Sequence, residues 1–137
     1  SAIAAGVALA KPSRQVITLD GDGALLMHMG NMATPGLLKL RNFKHVVINN
    51  GCHDSVGAQS TKAFDIDIPA MATACGYKAV FVATDEASIV EGVHKLRGVE
   101  GPALLEIRCK PGARADLGRP TRSPKQNKGD FMDFLRH

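Results

Sequence analysis

Four short apolar runs, at residues 15–20, 45–49, 77–83 and 103–108, alternate along this chain with stretches whose apolar residues recur at helical spacing. Each run is bounded by turn-forming residues and is too short to be a buried helix, so each reads as a strand. Before the first lies a small-residue segment, 3–11, read as a closely packed helix. After it, Leu25, Met29, Met32, Gly36 and Leu40 trace a helix that Pro35 kinks or divides into two pieces. Residues 69–75 form another helix, stopped by Gly76. Thr84 is its successor's N-cap, with Asp85 and Glu86 in the first turn. Ile89, Val90, Val93 and Leu96 are the stripe of that helix, and Gly98 follows it. Strict alternation predicts an α/β fold: a parallel sheet with helices on both faces. Ligands of such sheets bind beyond the carboxyl ends of the strands.

With 137 residues, 45% hydrophobic and 22% charged, the chain fits one globular domain, and no apolar run spans a membrane. The expected division is an α/β domain over 1–110, then an extension over 111–137 of loop and short terminal helix. The apolar tail at 131–137 would dock on a neighbour. Cys52, Cys75 and Cys109 stand alone, an odd count without C-x-x-C. That argues against a disulfide framework or thiolate zinc site and fits a reducing, cytoplasmic setting. Much of the net charge of +4 follows Lys110, but five Phe, one Tyr and no Trp give nucleic-acid bases little to stack on. The chain opens at Ser1 inside an apolar helix with nothing to cap it. One part of a larger protein is the expectation.

The chemistry concentrates at two strand ends. In Asp20-Gly21-Asp22-Gly23-Ala24, two glycines flank an acid between a strand and a helix. Glycine permits close approach of a ligand to the backbone, and the first amides of a helix can face an anion. An acid beside an anion site needs a cation between them, and Mg²⁺ bridging a carboxylate and phosphate oxygens satisfies both. In Ile48-Asn49-Asn50-Gly51, an asparagine at the second strand end offers a neutral hard oxygen. Asp22, Asn50, a backbone carbonyl of the following turn, two phosphate oxygens and water would complete an octahedron.

This pair, G-D-G then N-N with 25 residues between Gly23 and Asn49, resembles the cofactor signature of thiamine-diphosphate enzymes. The resemblance implies the thiamine-diphosphate-binding fold, with thiamine diphosphate and Mg²⁺ as cofactors. Asp22, the Asn50 side chain and the Cys52 backbone carbonyl are then the metal ligands. Gly21, Asp22, Gly23, Ala24, Asn50 and Cys52 contact the cofactor, Gly23 and Ala24 through their backbone.

Residues 49–61, 110–121 and 21–30 are similar to the phosphonopyruvate decarboxylase branch, with sulfopyruvate decarboxylases next. The implied reaction takes phosphonopyruvate, a small 2-keto acid, to phosphonoacetaldehyde and CO₂. His53, three positions past Asn50, could relay a proton or bind the substrate's anion; otherwise it is a loop histidine paired with Asp54. His28 faces the diphosphate or fills a core gap, and the gap is favoured. Ser55 and Gln59 could contact substrate or be solvated. Arg114 and Arg119 could clamp a phosphonate through bidentate guanidinium pairing, although a surface strap is favoured. Met27, Met29 and Met32 are core or interface filler.

The family's site is shared with a pyrimidine-binding domain, usually of a partner subunit, which supplies a glutamate. Nothing in this chain resembles that domain. The expectation is therefore a homo-oligomer or two-chain enzyme, and exposed apolar surface on the free chain. Three readings stand: the C-terminal part of a decarboxylase, one subunit of a two-chain decarboxylase, or a cofactor-binding module with no activity of its own.

Overall fold

A computed structural model describes residues 1–136. Its centre is a four-stranded parallel sheet of β1 (Val16–Gly21), β2 (Phe43–Asn49), β5 (Ala79–Ala83) and β6 (Ala103–Arg108), in the order β1-β2-β6-β5. A two-stranded antiparallel hairpin of β3 (Cys52–His53) and β4 (Gln59–Ser60) projects from the carboxyl end of β2. The helices are α1 (Ala2–Ala10), α2 (Asp22–Met27), α3 (Ala33–Leu37), α4 (Ile68–Ala74), α5 (Glu86–Gly98) and α6 (Pro124–Arg136).

Two cores lie on opposite faces of the sheet, as the alternation of side chains along a strand requires. On one face Phe43, Val47 and Leu104 pack with Ala5 and Ala8 of α1, Leu25 of α2, and Ile68 and Ala72 of α4. On the other, Val46, Leu105 and Ile107 pack with Leu96 of α5. The two inner strands are buried almost throughout, which explains why their sequences read as continuous apolar runs. The fold class expected from the alternation is the one observed. Asn42 ties the entry to the sheet together: its Nδ2 donates to the carbonyls of Ala8, Lys11 and Arg14, at 2.8–3.0 Å.

Several local expectations are corrected. The segment after G-D-G is built in two helical pieces, one of the two arrangements expected, but the division does not fall at Pro35. It unwinds at His28, continues as a 3₁₀ turn (Met29–Met32), and resumes as α3. Pro35 falls in the first turn of α3, where no helical partner awaits its missing N–H. The N-cap of α5 is Asp85, not Thr84. Its Oδ1 accepts from Ser88 N at 2.8 Å, and Ser88 Oγ accepts from Asp85 N at 3.0 Å, a closed capping box that Thr84 would place out of register. Gly98 ends α5 rather than following it. The terminal helix of the 111–137 extension begins at Pro124 and runs thirteen residues; His137 lies outside the described residues. The hairpin of β3 and β4 has no counterpart in the sequence reading, because two-residue strands carry no periodicity to detect.

Candidate functional site

Parallel pairing in register sets Gly21 of β1 beside Ile48 of β2, so the two polar segments leave the same edge of the sheet side by side. Gly21, Asp22, Gly23, Ala24, Ile48, Asn50, Cys52, His53 and Ser55 line one cleft of about 310 Å³, with Met27 at its wall. The single site expected from the two strand ends is thus assembled by one strand pair.

Asp22 opens α2 and is 2% exposed. Thr61 Oγ1 donates to its Oδ2 from across the hairpin. Burying a carboxylate with a neutral hydroxyl as partner is costly unless a cation completes the pairing. The amides of the first turn of α2, Gly23 and Ala24 among them, have no intrahelical acceptor. Gly23 is required for another reason as well: a methyl group there would lie 2.3 Å from His53 Cε1 and Nδ1. The imidazole therefore lies against the backbone of the G-D-G turn.

The N-N turn is built from two successive Asx turns. Asn49 Oδ1 accepts from Gly51 N at 3.2 Å, and Asn50 Oδ1 from Cys52 N at 3.1 Å. Gly51 adopts φ of +72°, and a methyl there would also strike the ring of Phe64. Asn49 is fully buried. Its Nδ2 donates to Glu106 Oε1 at 2.7 Å, and Glu106, buried on β6, pairs through Oε2 with Arg108 Nη2 at 3.2 Å. The first asparagine thus braces the turn against the sheet, while half-buried Asn50 faces the cleft.

Sequence reasoning missed two side chains. Thr61 holds Asp22, and Asp54 holds the loop. Asp54 Oδ2 accepts from Asn50 Nδ2 at 2.8 Å and from Gly112 N at 3.0 Å, and its Oδ1 accepts from Cys52 Sγ at 3.2 Å. The Gly112 amide above all, then the Cys52 thiol and Asn50, hold the Asp54 carboxyl below the usual carboxylate range. The pairing of His53 with Asp54 weighed from the sequence does not form, since those other donors occupy the carboxylate. Neither a threonine nor an aspartate in a polar loop carries a sequence signal for these long-range contacts. Burial pushes the thiols of both Cys52 and Cys109 up, and nearby Asp54 adds to the effect, so neither is poised as a thiolate.

Other candidates are placed less centrally. His28 is exposed and fills no core gap, because the helix unwinds at that residue; it lies near Ser1 and Asp20, outside the cleft. Gln59 is exposed on β4. Arg114 pairs with Asp116 at 3.3 Å on the exposed segment after β6, and Arg119 lies farther along it, also exposed. Met32 is core, whereas Met27 and Met29 are exposed.

Comparisons with known proteins agree with this geometry. Residues 1–107 match the family described as thiamine pyrophosphate enzyme, C-terminal TPP binding domain. A phosphonopyruvate decarboxylase from Streptomyces viridochromogenes is 39% identical over 95% of this chain, which spans 32% of that relative's length. A sulfopyruvate decarboxylase subunit beta from Methanococcus maripaludis is 35% identical over 99% of this chain and 72% of its own length. A crystal structure of transketolase from Campylobacter jejuni superposes with a TM-score of 0.65, covering 78% of this chain and 19% of that one; at 21% identity it shows the fold alone. The chain belongs to the thiamine pyrophosphate enzymes as a C-terminal TPP-binding domain, homologous to the phosphonopyruvate and sulfopyruvate decarboxylases.

Proposed function

We propose that this chain is the diphosphate- and Mg²⁺-binding part of a thiamine-diphosphate-dependent carboxy-lyase that decarboxylates a 2-keto acid, phosphonopyruvate first. The observation that carries the reading is buried Asp22 beside Asn50 and Cys52 in one cleft at two adjacent strand ends. The donor set suits Mg²⁺: a carboxylate, an amide oxygen and a backbone carbonyl, all hard oxygens. Among the described residues no three His, Cys, Asp or Glu side chains cluster to hold a metal unaided. An ion there needs further oxygens, and a bound diphosphate offers them. Asp22, Asn50 and the Cys52 carbonyl would hold the ion. Gly21, Gly23 and Ala24 would meet the diphosphate through backbone amides, with the His53 ring lying against Gly23. When bound, the cofactor supplies the electron sink for loss of CO₂.

His53 is the side chain placed to act on protons there. Half-buried, set against Gly23 in the cleft, it can hold or move a proton at Nδ1 or Nε2 beside the carboxylate or keto oxygen of a bound substrate. Ser55 lines the same cleft and is the second polar contact for substrate. Gln59, Arg114 and Arg119 reach a substrate only if the hairpin and the segment after β6 fold inward. The pyrimidine half of the cofactor requires a second domain or subunit.

One observation favours a second reading. The sulfopyruvate decarboxylase relative is a beta subunit of which this chain spans 72%, so a two-chain enzyme acting on a sulfonate is the alternative. Calorimetric titration of thiamine diphosphate tests the first claim. Binding that requires Mg²⁺, disappears with EDTA and is lost in Asp22→Ala supports it; binding indifferent to both refutes the metal-bridged site. CO₂ release from phosphonopyruvate and from sulfopyruvate, measured with a pyrimidine-binding partner added, separates the substrates.

A further inference from the structure

The loop between Asn50 and Thr61 is organised by a side chain outside the two motifs. Both oxygens of Asp54 are engaged, by Asn50 Nδ2, Gly112 N and Cys52 Sγ. An ionised carboxylate only accepts hydrogen bonds, so the Asn50 amide must turn its nitrogen toward Asp54. A flipped amide would set oxygen against oxygen. The Asn50 oxygen is thereby committed to the opposite side, where it meets Cys52 N at 3.1 Å. The same carboxylate grips the thiol of Cys52, whose carbonyl belongs to the candidate ligand set. Through Gly112 it also ties the start of the C-terminal segment to the loop, across 58 positions of sequence.

We propose that Asp54 is a positioning residue: it fixes the amide of Asn50 in the orientation that offers oxygen to the metal, and it fastens the C-terminal segment to the cofactor loop. The inference rests on Asn50 being a Mg²⁺ ligand. Partners that orient a metal ligand typically contribute about 10–100-fold to metal affinity. Asp54→Leu is the informative change, because it approximates the shape of the carboxylate but accepts no hydrogen bond. The Asn50 nitrogen then loses its acceptor, and the amide is held only through the Cys52 N–H.

The test is a pair of calorimetric titrations on the parent chain and Asp54→Leu, with melting curves as the control. Mg²⁺ titrated at saturating thiamine diphosphate should bind about 10–100-fold more weakly in the variant. Thiamine diphosphate titrated at saturating Mg²⁺ should return to near-parental affinity, with melting temperature unchanged. In Asp54→Ala, which removes both acceptors, tryptic cleavage after Arg114 should accelerate. Parental Mg²⁺ affinity in a folded Asp54→Leu overturns the proposal. So does a loss of cofactor affinity that excess Mg²⁺ fails to restore, the behaviour of a collapsed loop. A parent whose cofactor binding ignores Mg²⁺ overturns the metal reading of Asn50 and this inference with it, and that result is visible before any variant is made.

Discussion

Single residues carry the candidate site, and their environments make the expected effects specific. Gly23→Ala would drive a methyl into the imidazole of His53. The ring is displaced before the fold is, so thiamine diphosphate affinity should fall about tenfold or more, about 1.4 kcal/mol, with little change in melting temperature. Calorimetry and a melting curve on one sample check both halves. A charged cap gives the pH prediction. Backbone and side-chain hydrogen bonds with Ser88 hold the Asp85 carboxyl below its ordinary value. Its stabilisation is complete above that ordinary value and is lost as pH falls through the depressed one. Asp85→Ala should therefore melt below the parent at pH 7, and the gap should close under acid conditions. A constant gap across the range in melting temperature against pH would contradict the cap. The placement of Asp22 and Asn50 at two neighbouring strand ends was legible in the sequence, because each follows an apolar run and is flanked by turn glycine. Thr61 and Asp54 were not, since a hydroxyl and a carboxylate in a polar loop look like solvated residues until folding brings Asp22 and Gly112 to them.

At the scale of elements, packing distances decide what the sequence can vary. Gly36 of α3 approaches the end of α4 so closely that a methyl would sit 1.7 Å from the carbonyl oxygen of Cys75. Backbone cannot yield as a side chain can, so Gly36→Ala should cost about 3 kcal/mol in denaturant unfolding. Leu96 is the buried anchor of α5 against the second face of the sheet, 1% exposed. Leu96→Ala should cost about 2–5 kcal/mol by the same measurement, through lost burial and the cavity left behind. The long helices and the inner strands were readable from periodicity. The break at His28 was not: it follows from the chain turning at the cleft wall, and Pro35, the obvious breaker, fits a first turn without strain.

Over the whole molecule, apolar surface is distributed unevenly. Ile3, Leu37, Leu19 and Met27 are among the large apolar side chains left exposed, at 67–82% of their full area. Leu19 and Ile17 occupy the second face of edge strand β1, away from α5. The expectation of uncovered apolar surface is met, and no described helix is long and apolar enough to cross a membrane. α6 rests near this edge through Arg14, whose guanidinium lies 4.5 Å from the Phe134 ring centroid and donates to the Phe134 carbonyl. If a second domain or subunit covers this surface, adding it should raise the melting temperature and sharpen Mg²⁺-dependent cofactor binding together. An added partner that changes neither would count against a shared site.

By itself the sequence determined the order of the four main-sheet strands and the helices between them, the two-faced sheet and the pair of strand ends where polar residues gather. Those follow from local physics: apolar periodicity, turn residues and the carboxyl-edge rule. Only the tertiary structure decided which polar side chains meet. His53 lies on Gly23, Thr61 reaches Asp22, and Asp54 joins Asn50 to Gly112, because contacts between residues 30 to 60 positions apart depend on strand register and hairpin geometry. No spacing along the chain encodes them.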